Sequence, residues 1–361
     1  MLGLLALGLT TIMIYTLVKN ALVGKQLSQD DQFRGTVELI IPLAPKSEFF
    51  LVAWQKAAES FQFSSTQLRI HLLVDGHHPS LNVWQELKSK IPSLEIHSFP
   101  MRPTHVEAVP WMLEQISSQI KGDVVIIGDA ELVPSANAFA SAASKVIEKN
   151  RSYFIVPQTA KTNLLGESIS VLNPTLALAS FFGKAKWRKN ITQPLLSISQ
   201  GWMCMTLQTF KAIDFKMIRI STWKEAISRQ WEDQNKKYYL AFGEKQLTRF
   251  YPDDLKTLVY QLRDKWEDLW SRKAKMGFAL FLTTLFLWSF PMICLFTHPY
   301  WSITSFFLLV LYRFFTKIVF QESWKAIFLH PVACLIWIGS FFWWLSGHLK
   351  SKYGSQASLL P

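Results

Sequence analysis

The chain has 361 residues, half of them apolar and 18% charged, with a formal net charge of +12. The charged share is below the roughly 25% of ordinary soluble proteins, so the composition favours membrane segments over an entirely soluble chain. Basic residues cluster beside apolar runs, as at Arg272, Lys273 and Lys275, and form no stripe with interleaved aromatic residues. This arrangement argues against a nucleic-acid-binding protein and is typical of a topology signal next to lipid.

The N-terminal segment, residues 2–18, is uncharged and is followed by Lys19 and Lys25. A cleaved signal peptide would begin with a positive region and end at a small-residue cleavage site. The sequence therefore predicts an uncleaved transmembrane anchor over residues 1–24. Because positive residues follow it, the next domain is predicted to lie in the cytoplasm.

Residues 33–270 show short apolar runs separated by amphipathic stretches, which is typical of βαβ units around a buried parallel sheet. This pattern predicts an α/β domain with a Rossmann-like, mostly parallel sheet and flanking helices. The predicted strands are 37–42, 69–75, 94–98, 123–128 and 152–157, and the predicted helices are 48–62, 80–90, 105–120 and 135–148. Ligands of such sheets bind at the carboxyl ends of the strands.

Carboxylates follow three of these predicted strands. Glu48 comes shortly after Pro42, Asp75 ends the second strand, and Asp129 and Glu131 follow the fourth. A carboxylate at a strand end can accept hydrogen bonds from a base or ribose. Two carboxylates one residue apart in a turn can face one Mg²⁺, which takes one or two protein carboxylates beside water and phosphate oxygens. The alternative is that Asp129 caps the turn and Glu131 is solvated.

Three apolar segments, 276–296, 301–320 and 328–347, predict a C-terminal transmembrane region over residues 271–350, before a tail of residues 351–361. The first is about 20 residues long and uncharged, which is the length that crosses a bilayer. The second carries Arg313 and Lys317 near its end, where long basic side chains can reach the surface. If all three segments cross, the basic tail lies outside, against the usual charge rule, so one segment lying in the interface is an alternative.

The order of these features resembles the family 2 glycosyltransferases of the GT-A fold, particularly membrane-bound bacterial enzymes associated with carotenoid and hopanoid pathways. The segments that carry the resemblance are VELIIPLAPKSE, LLVDGHHPS, VVIIGDAELVP, QGWMCMTLQTF and TRFYPDDLKTLVYQLRDKW. It implies an inverting, metal-assisted transfer of a sugar from a nucleoside diphosphate sugar to a lipid or lipid-linked hydroxyl. It also implies a multi-pass protein of the bacterial inner membrane, with the catalytic domain in the cytoplasm and no nucleic-acid partner.

The resemblance implies a role for each matching position. The nucleotide-sugar would contact Pro42, Glu48, Asp75, His105 and Asp129, a divalent cation (Mg²⁺ or Mn²⁺) would bind Asp129 and Glu131, and the acceptor side would contain Gly201 and Trp202. Glu131 stands where the family prefers aspartate. His105 stands where the family commonly has lysine, so a fixed positive charge becomes a titratable one.

Two residues compete for the role of general base. Spacing to Gly243 and Arg249 favours Glu225, whereas the intact Glu-Asp dipeptide favours Asp233. A helix over 222–240 would put positions 225 and 232 on nearly the same face, so geometry excludes neither candidate. Both can instead be exposed helix carboxylates that balance nearby basic residues.

The remaining candidates have weaker patterns. The histidines at 71, 77, 78 and 97 show no HxxxH or HxH spacing with a third ligand, so no metal site is predicted there. Cys204 lies in an apolar run and is predicted to be a small core residue, and the three cysteines give no disulfide framework. Two other classes stay open: a catalytically eroded, glycosyltransferase-like scaffold or binding protein, and a transporter component.

Overall fold

The computed structural model describes these residues of the chain: 11, 15, 33–43, 54, 57, 67–75, 81–99, 103, 107–135, 137–159, 201–218, 223–234, 238–243, 247–249, 259, 260, 262, 263, 266, 299–320 and 324–357. The chain forms two compact units. The α/β unit comprises residues 20–160 and 184–250. The helical unit comprises residues 1–19, 161–183 and 251–361.

The α/β unit is built from alternating strands and helices. Its described strands are β1 (Thr36–Pro42), β2 (Gln67–Asp75), β3 (Leu94–Phe99), β4 (Val124–Ile127), β5 (Leu132–Pro134), β6 (Ser152–Val156), β7 (Gln158–Thr159), β8 (Trp202–Thr206), β9 (Tyr238–Phe242) and β10 (Leu247–Arg249). Its described helices are α1 (Leu81–Lys90), α2 (Ala108–Ile116), α3 (Ala138–Lys149), α4 (Leu207–Lys211) and α5 (Trp223–Asp233).

The described strands form two sheets. The main sheet has seven strands in the order β3-β2-β1-β4-β8-β6-β9, and a small sheet has three in the order β5-β10-β7. Neighbours in the main sheet are parallel except at β8, which runs antiparallel to both β4 and β6. The predicted mostly parallel sheet with flanking helices is therefore confirmed.

The five strands predicted from apolar runs are β1, β2, β3, β4 and β6, each with ends within two residues of the predicted ends. Three predicted helices correspond to α1, α2 and α3. The predicted helix 48–62 lies outside the described residues except at Trp54 and Ala57, which are helical. The helix predicted over 222–240 is wrong at its C-terminal end, because α5 ends at Asp233 and the aromatic run that follows forms β9.

Strand β1 shows how the main sheet separates two faces. Val37, Leu39 and Ile41 belong to a buried core that also contains Trp84 and Leu87 of α1. Successive side chains of a strand point to opposite faces, so Glu38 and Ile40 point away from that core. On this second face α2 contacts β2, and Trp111 of α2 packs edge-on against Phe99 of β3. Burial on both faces is typical of strands in the centre of a parallel sheet.

The helical unit contains α6 (Pro299–Phe320) and α7 (Lys325–Ala357), which pack against each other. Arg313 of α6 is buried, and its Nε donates a hydrogen bond of 2.8 Å to Nδ1 of His330 in α7. It therefore does not reach the surface as the sequence pattern suggests. Trp266 belongs to the same unit, and its Nε1 donates a hydrogen bond of 3.0 Å to Oγ of Ser340.

The helical unit also exposes apolar side chains. Within the described part of the chain, one helix stretch, Phe328–Gly347 in α7, is long and apolar enough to cross a membrane. Large exposed apolar residues on α6, α7 and the link between them are Ile303, Phe306, Phe307, Phe314, Trp324, Phe328, Val332, Leu335, Phe342 and Trp343. The predicted membrane segments 2–18 and 276–296 lie outside the described residues apart from Thr11 and Tyr15. The transmembrane organisation stays a prediction.

Candidate functional site

The turn after β4 connects the two sheets. The Gly128 N–H donates to the Ile40 carbonyl over 2.9 Å, which extends the β1–β4 pairing by one residue. The Leu132 N–H then donates to the Asp129 carbonyl over 3.0 Å, and β5 begins at Leu132 and pairs with β10 of the small sheet. The turn therefore fixes Asp129 and Glu131 at the carboxyl ends of β1 and β4, where parallel sheets bind ligands.

Two tryptophans hold this turn. The buried Trp202 indole lies against Gly128 so closely that a Cβ on Gly128 would be 2.7 Å from Trp202 Cδ1. The same indole stacks on Phe139 of α3 with 5.3 Å between ring centroids. The Nε1 of Trp54 donates to the Ala130 carbonyl over 2.8 Å. Because both contacts involve the turn's own backbone, they restrict the positions of the carboxylates on either side of Ala130.

Lys224 of α5 is paired with the first of these carboxylates. Its Nζ lies 2.5 Å from Oδ2 of Asp129, and the two side chains are 6% and 26% exposed. Lys224 belongs to the buried face of α5, together with Ile227, Ser228 and Trp231 at helical spacing. A buried ammonium is costly unless it is paired, so this ion pair satisfies Lys224 and neutralises Asp129.

The position of Lys224 was not predicted from the sequence, although a signal for it exists. Residues i, i+3, i+4 and i+7 of a helix share one face. Counted from Lys224, the other three positions of that face are Ile227, Ser228 and Trp231. That pattern directs the lysine toward the interior, where a carboxylate partner is required. The sequence reasoning instead treated Lys224 as a surface charge that balances the acidic residues of α5.

The two candidate bases lie at opposite ends of α5. Glu225 lies in the first turn of the helix, directly after Lys224. The Lys224 side chain is hydrogen-bonded to Asp129. Asp233 is the last residue of α5, is exposed, and lies about 12 Å farther along the helix axis at 1.5 Å per residue. The helix therefore brings the backbone of Glu225, and not that of Asp233, near the turn.

The other predicted site residues occupy different surroundings. Pro42 and Asp75 end β1 and β2, so their backbones lie at the same edge of the main sheet as Asp129. A Cβ on Gly201 would be 2.7 Å from the Ile155 carbonyl, so only glycine fits beside β6 there. Trp202 is a core residue that touches Gly128. The two remaining predicted residues, Glu48 and His105, lie outside the described residues.

The donor set at the turn is suited to a hard divalent cation. Carboxylate oxygens are the ligands that Mg²⁺ prefers, and Asp129 and Glu131 are both partly exposed. Lys224 occupies Oδ2 of Asp129, so a cation at this turn would use the other oxygen or displace the ammonium group. The residues therefore fit a divalent cation, with Lys224 as a competitor for one ligand.

A second polar cluster lies on the face of the main sheet opposite the α1 core. Nδ1 of His71 lies 3.0 Å from Nε2 of His97, and each of these nitrogens lies 3.7 Å from Oε2 of Glu95. Nε2 of His71 faces Oε2 of the fully buried Glu38 at 3.4 Å. We call His71, Glu95, His97 and Glu38 the His/Glu cluster.

Burial and local contacts set the charges in this cluster. Burial alone would raise the pKa of Glu38, but the adjacent His71 ring and hydrogen bonds from the backbone N–H groups of Lys121 and Gly122 outweigh it, so its pKa lies below the usual value. Burial is the largest cause that lowers the pKa of His97, and the electrostatic influence of the neighbouring His71 acts in the same direction. Near neutral pH, Glu38 is therefore an anion and His97 a neutral imidazole.

The sequence reasoning missed the His/Glu cluster because its members come from three strands. In the parallel register His71 pairs with Glu95, and Leu73 pairs with His97. Glu95 and His97 are two residues apart in a strand, so they share a face, and this was the local signal in the sequence. The HxxxH and HxH spacings describe histidines within one helix or one chain segment, and they do not detect ligands that come from neighbouring strands.

The chain is thus a mixed α/β protein with a mostly parallel sheet and flanking helices. No family model matches it, and no curated protein matches it. The solved structure of the mannosyltransferase PcManGT from Pyrobaculum calidifontis in complex with GDP-Man and Mn²⁺ is similar, with 10% identity over 96% of this chain and 99% of that chain and a TM-score of 0.49. S. aureus TarS 1-349 in complex with UDP-GlcNAc is also similar, with 10% identity over 86% of this chain and 92% of that chain and a TM-score of 0.40.

Proposed function

We propose that this protein is a metal-assisted, inverting glycosyltransferase that moves a sugar from a nucleoside diphosphate sugar to a lipid or lipid-linked hydroxyl. The observation that carries the proposal is the turn at residues 128–131, which holds Asp129 and Glu131 at the carboxyl edge of the main sheet. Asp75 ends β2 at the same edge, with β1 between β2 and β4, and the first turn of α5 lies beside Asp129. An acidic edge next to a basic side chain suits a ligand with a diphosphate and a metal.

In this mechanism Asp75 accepts hydrogen bonds from the nucleoside. Asp129 and Glu131 would hold the divalent cation, which would supply positive charge to the diphosphate leaving group. Lys224, released from Asp129 or sharing it, supplies a second positive charge at the same turn. Gly201 and Trp202 are proposed to lie on the acceptor side of the site. Trp202 is close to the proposed metal ligands because it contacts the turn at Gly128.

Glu225 is the proposed general base. It accepts the proton of the acceptor hydroxyl while that oxygen attacks the anomeric carbon, and the bond from that carbon to the diphosphate breaks on the opposite face, which inverts the centre. The place of Glu225 directly after Lys224 supports it over Asp233, which lies at the far end of α5. A positioned base is typically worth about 10² to 10⁴ in rate.

The proposal also includes a lipid acceptor and a location in the inner membrane. They are supported by the apolar stretch Phe328–Gly347 and by the basic residues that precede the apolar segment at 276–296. The proposed multi-pass arrangement comes from the apolar segments 276–296, 301–320 and 328–347, and the proposed place of the α/β unit in the cytoplasm comes from Lys19 and Lys25 after the first apolar segment.

The proposal is tested with the full chain purified in detergent. Nucleotide release and binding are measured with a panel of UDP-sugars and GDP-sugars in the presence of Mn²⁺ or Mg²⁺. We expect one nucleotide class to bind, and Asp129→Asn and Glu131→Gln to lose turnover by at least about 10²-fold. Glu148→Gln, an equal charge change at an exposed position of α3, serves as the control and should retain the turnover of the parent protein. The proposal would be contradicted if no donor bound and Asp129→Asn had the same binding and nucleotide release as the parent.

A non-catalytic binding protein of the same fold is the second candidate, and the Lys224–Asp129 ion pair favours it because one metal ligand is already neutralised. This candidate predicts that nucleotide-sugar binding, if present, is independent of Mn²⁺ and leads to no nucleotide release. The donor panel therefore separates the two candidates without further variants.

A further inference from the structure

The His/Glu cluster is separate from the turn at Asp129. His71 lies four residues before Asp75 in β2, which is about 13 Å along a strand at ~3.3 Å per residue. Its other members lie on β3, which is one of the two edge strands of the main sheet in the described part of the chain, and on β1. Glu95 is 54% exposed, so the cluster has access to solvent from the sheet edge.

The three ligand atoms have the spacing of a tetrahedral metal site. Zn²⁺ binds imidazole nitrogen and carboxylate oxygen at about 2.0–2.2 Å, which places neighbouring ligand atoms of a tetrahedron about 3.3–3.6 Å apart. The separations among His71 Nδ1, His97 Nε2 and Glu95 Oε2 are 3.0, 3.7 and 3.7 Å. A small shift of the exposed Glu95 side chain brings its two separations to these values, and the rings of His71 and His97 have to move apart by about 0.3 Å.

Glu38 supplies the outer contact that metal-binding histidines usually have. A ligating histidine commonly donates its second ring N–H to a carboxylate, which fixes its orientation and tautomer. Nε2 of His71 faces Oε2 of Glu38, while Oε1 accepts backbone hydrogen bonds from Gly122 and Lys121 at 2.8 and 3.1 Å. Binding a metal through Nδ1 requires the ring N–H of His71 to lie at Nε2, which is 3.4 Å from Oε2 of Glu38.

We propose that His71, Glu95 and His97 bind a divalent transition-metal ion, best matched by Zn²⁺, with water as the fourth ligand. Two imidazoles and one carboxylate are a ligand set that suits zinc better than magnesium or calcium. The ion takes the place of the hydrogen bond between His71 Nδ1 and His97 Nε2, with both rings binding it as neutral imidazoles. By binding side chains from β2 and β3, the metal fastens the edge strand to the sheet.

The first experiment uses the full chain freed of metal by a chelator and titrated with Zn²⁺ alone by calorimetry, and with Co²⁺ followed by visible absorption. We expect one equivalent to bind with an absorption spectrum of tetrahedral Co²⁺, and the melting temperature to rise with metal concentration. Glu95→Gln and His97→Asn should each abolish this equivalent. Glu86→Gln, the same charge change at an exposed site on α1, should leave it intact.

Two further arms keep the result interpretable. Asp129→Asn should retain the zinc equivalent, and Glu95→Gln should retain nucleotide release with Mn²⁺, so failure of the proposed function does not imply failure here. If His97→Asn does not fold, Glu95→Gln carries the test, because Glu95 is exposed. Zinc binding equal in the parent, Glu95→Gln and His97→Asn, or no zinc equivalent in the parent, would overturn the proposal.

Discussion

Lys224 and Asp129 show how a single pair of side chains determines the chemistry available at the turn. The carboxylate that the sequence offers as a metal ligand is partly buried and bonded to an ammonium group. Such a pair holds the site in one arrangement, but the pair itself adds little net stability because both charges lose water. Metal binding and catalysis at this turn therefore depend on where the ammonium group goes when a ligand arrives.

Replacing Lys224 by methionine tests this competition. The variant keeps the apolar stem and removes the charge, so Mn²⁺ should bind the turn more tightly in calorimetry. The free energy of unfolding should fall by about 1–3 kcal/mol, because Asp129 loses its partner. Lys216→Met, at an exposed site with a 3.5 Å contact to Glu114, should change neither quantity by more than about 0.5 kcal/mol. Unchanged Mn²⁺ affinity in Lys224→Met would argue against competition.

Cys204 gives a second prediction at the scale of one residue. It is fully buried in β8, as its apolar surroundings predicted, and burial raises the pKa of its thiol well above the usual value. The thiolate is the reactive form, so iodoacetamide should leave Cys204 unmodified in the native protein and modify it in denaturant. Mass spectrometry of the peptide containing residue 204 measures this, and rapid native labelling would contradict the burial.

Among the elements, the turn between β4 and β5 depends on the small size of Gly128. A Cβ on Gly128 would meet the buried Trp202 ring at 2.7–2.8 Å, and Trp202 itself stacks on Phe139. Neither ring is at the end of a flexible side chain, so the turn has to move instead. The position of Asp129 and Glu131 is thus tied to the packing of β8 and α3.

Gly128→Ala should therefore lower the free energy of unfolding by about 1–3 kcal/mol and reduce nucleotide release by displacing the carboxylates. The matched control is Gly339→Ala in α7, where the added methyl group has open space and helix propensity gains up to about 1 kcal/mol. Thermal denaturation and the donor assay measure the two effects. If Gly128→Ala matched the parent in both, Trp202 would not restrain the turn.

The sequence predicted those elements whose pattern is local. β1, β2, β3, β4 and β6 are continuous or alternating apolar runs between polar stretches, and their ends were placed within two residues. β8 was recognised as buried but not as a strand, because its partners β4 and β6 are distant in sequence. The end of α5 was misplaced because charged residues continue a helical pattern until the aromatic strand β9 begins.

The candidate site was predictable to a similar degree. Asp129, Glu131 and Asp75 follow strands, so their edge of the sheet could be named from the pattern. Lys224 and the His/Glu cluster could not be named in this way, because they depend on strand register and on the packing of α5. Glu95 and His97 form a candidate metal site only together with His71, and the register of β2 and β3 places these three residues side by side.

At the scale of the whole molecule, the helical unit combines buried polar contacts with an exposed apolar surface. Arg313 and His330 are bonded between α6 and α7, while large apolar side chains such as Phe328 and Leu335 are exposed. Monomeric soluble proteins rarely expose large contiguous apolar patches, so a lipid environment is the proposed partner of this surface.

This arrangement predicts that the expressed chain stays in the membrane pellet after alkaline carbonate extraction. A transmembrane segment resists this treatment because its burial in hydrocarbon does not depend on surface charge. A Leu335→Arg variant, with a charge near the middle of the stretch Phe328–Gly347, should shift part of the chain to the soluble or aggregated fraction. Full release of the parent chain by carbonate would contradict membrane insertion.

The antiparallel strand β8 also has a consequence for biosynthesis. It occupies the centre of the main sheet between β4 and β6, yet it follows both in the chain. A nascent chain leaving the ribosome can pair β1 to β4 while one edge of β4 waits, for several seconds at ~5–20 residues per second, until β8 has been made. Unpaired strand edges are sites of aggregation, so we expect holding chaperones to engage the chain in that interval.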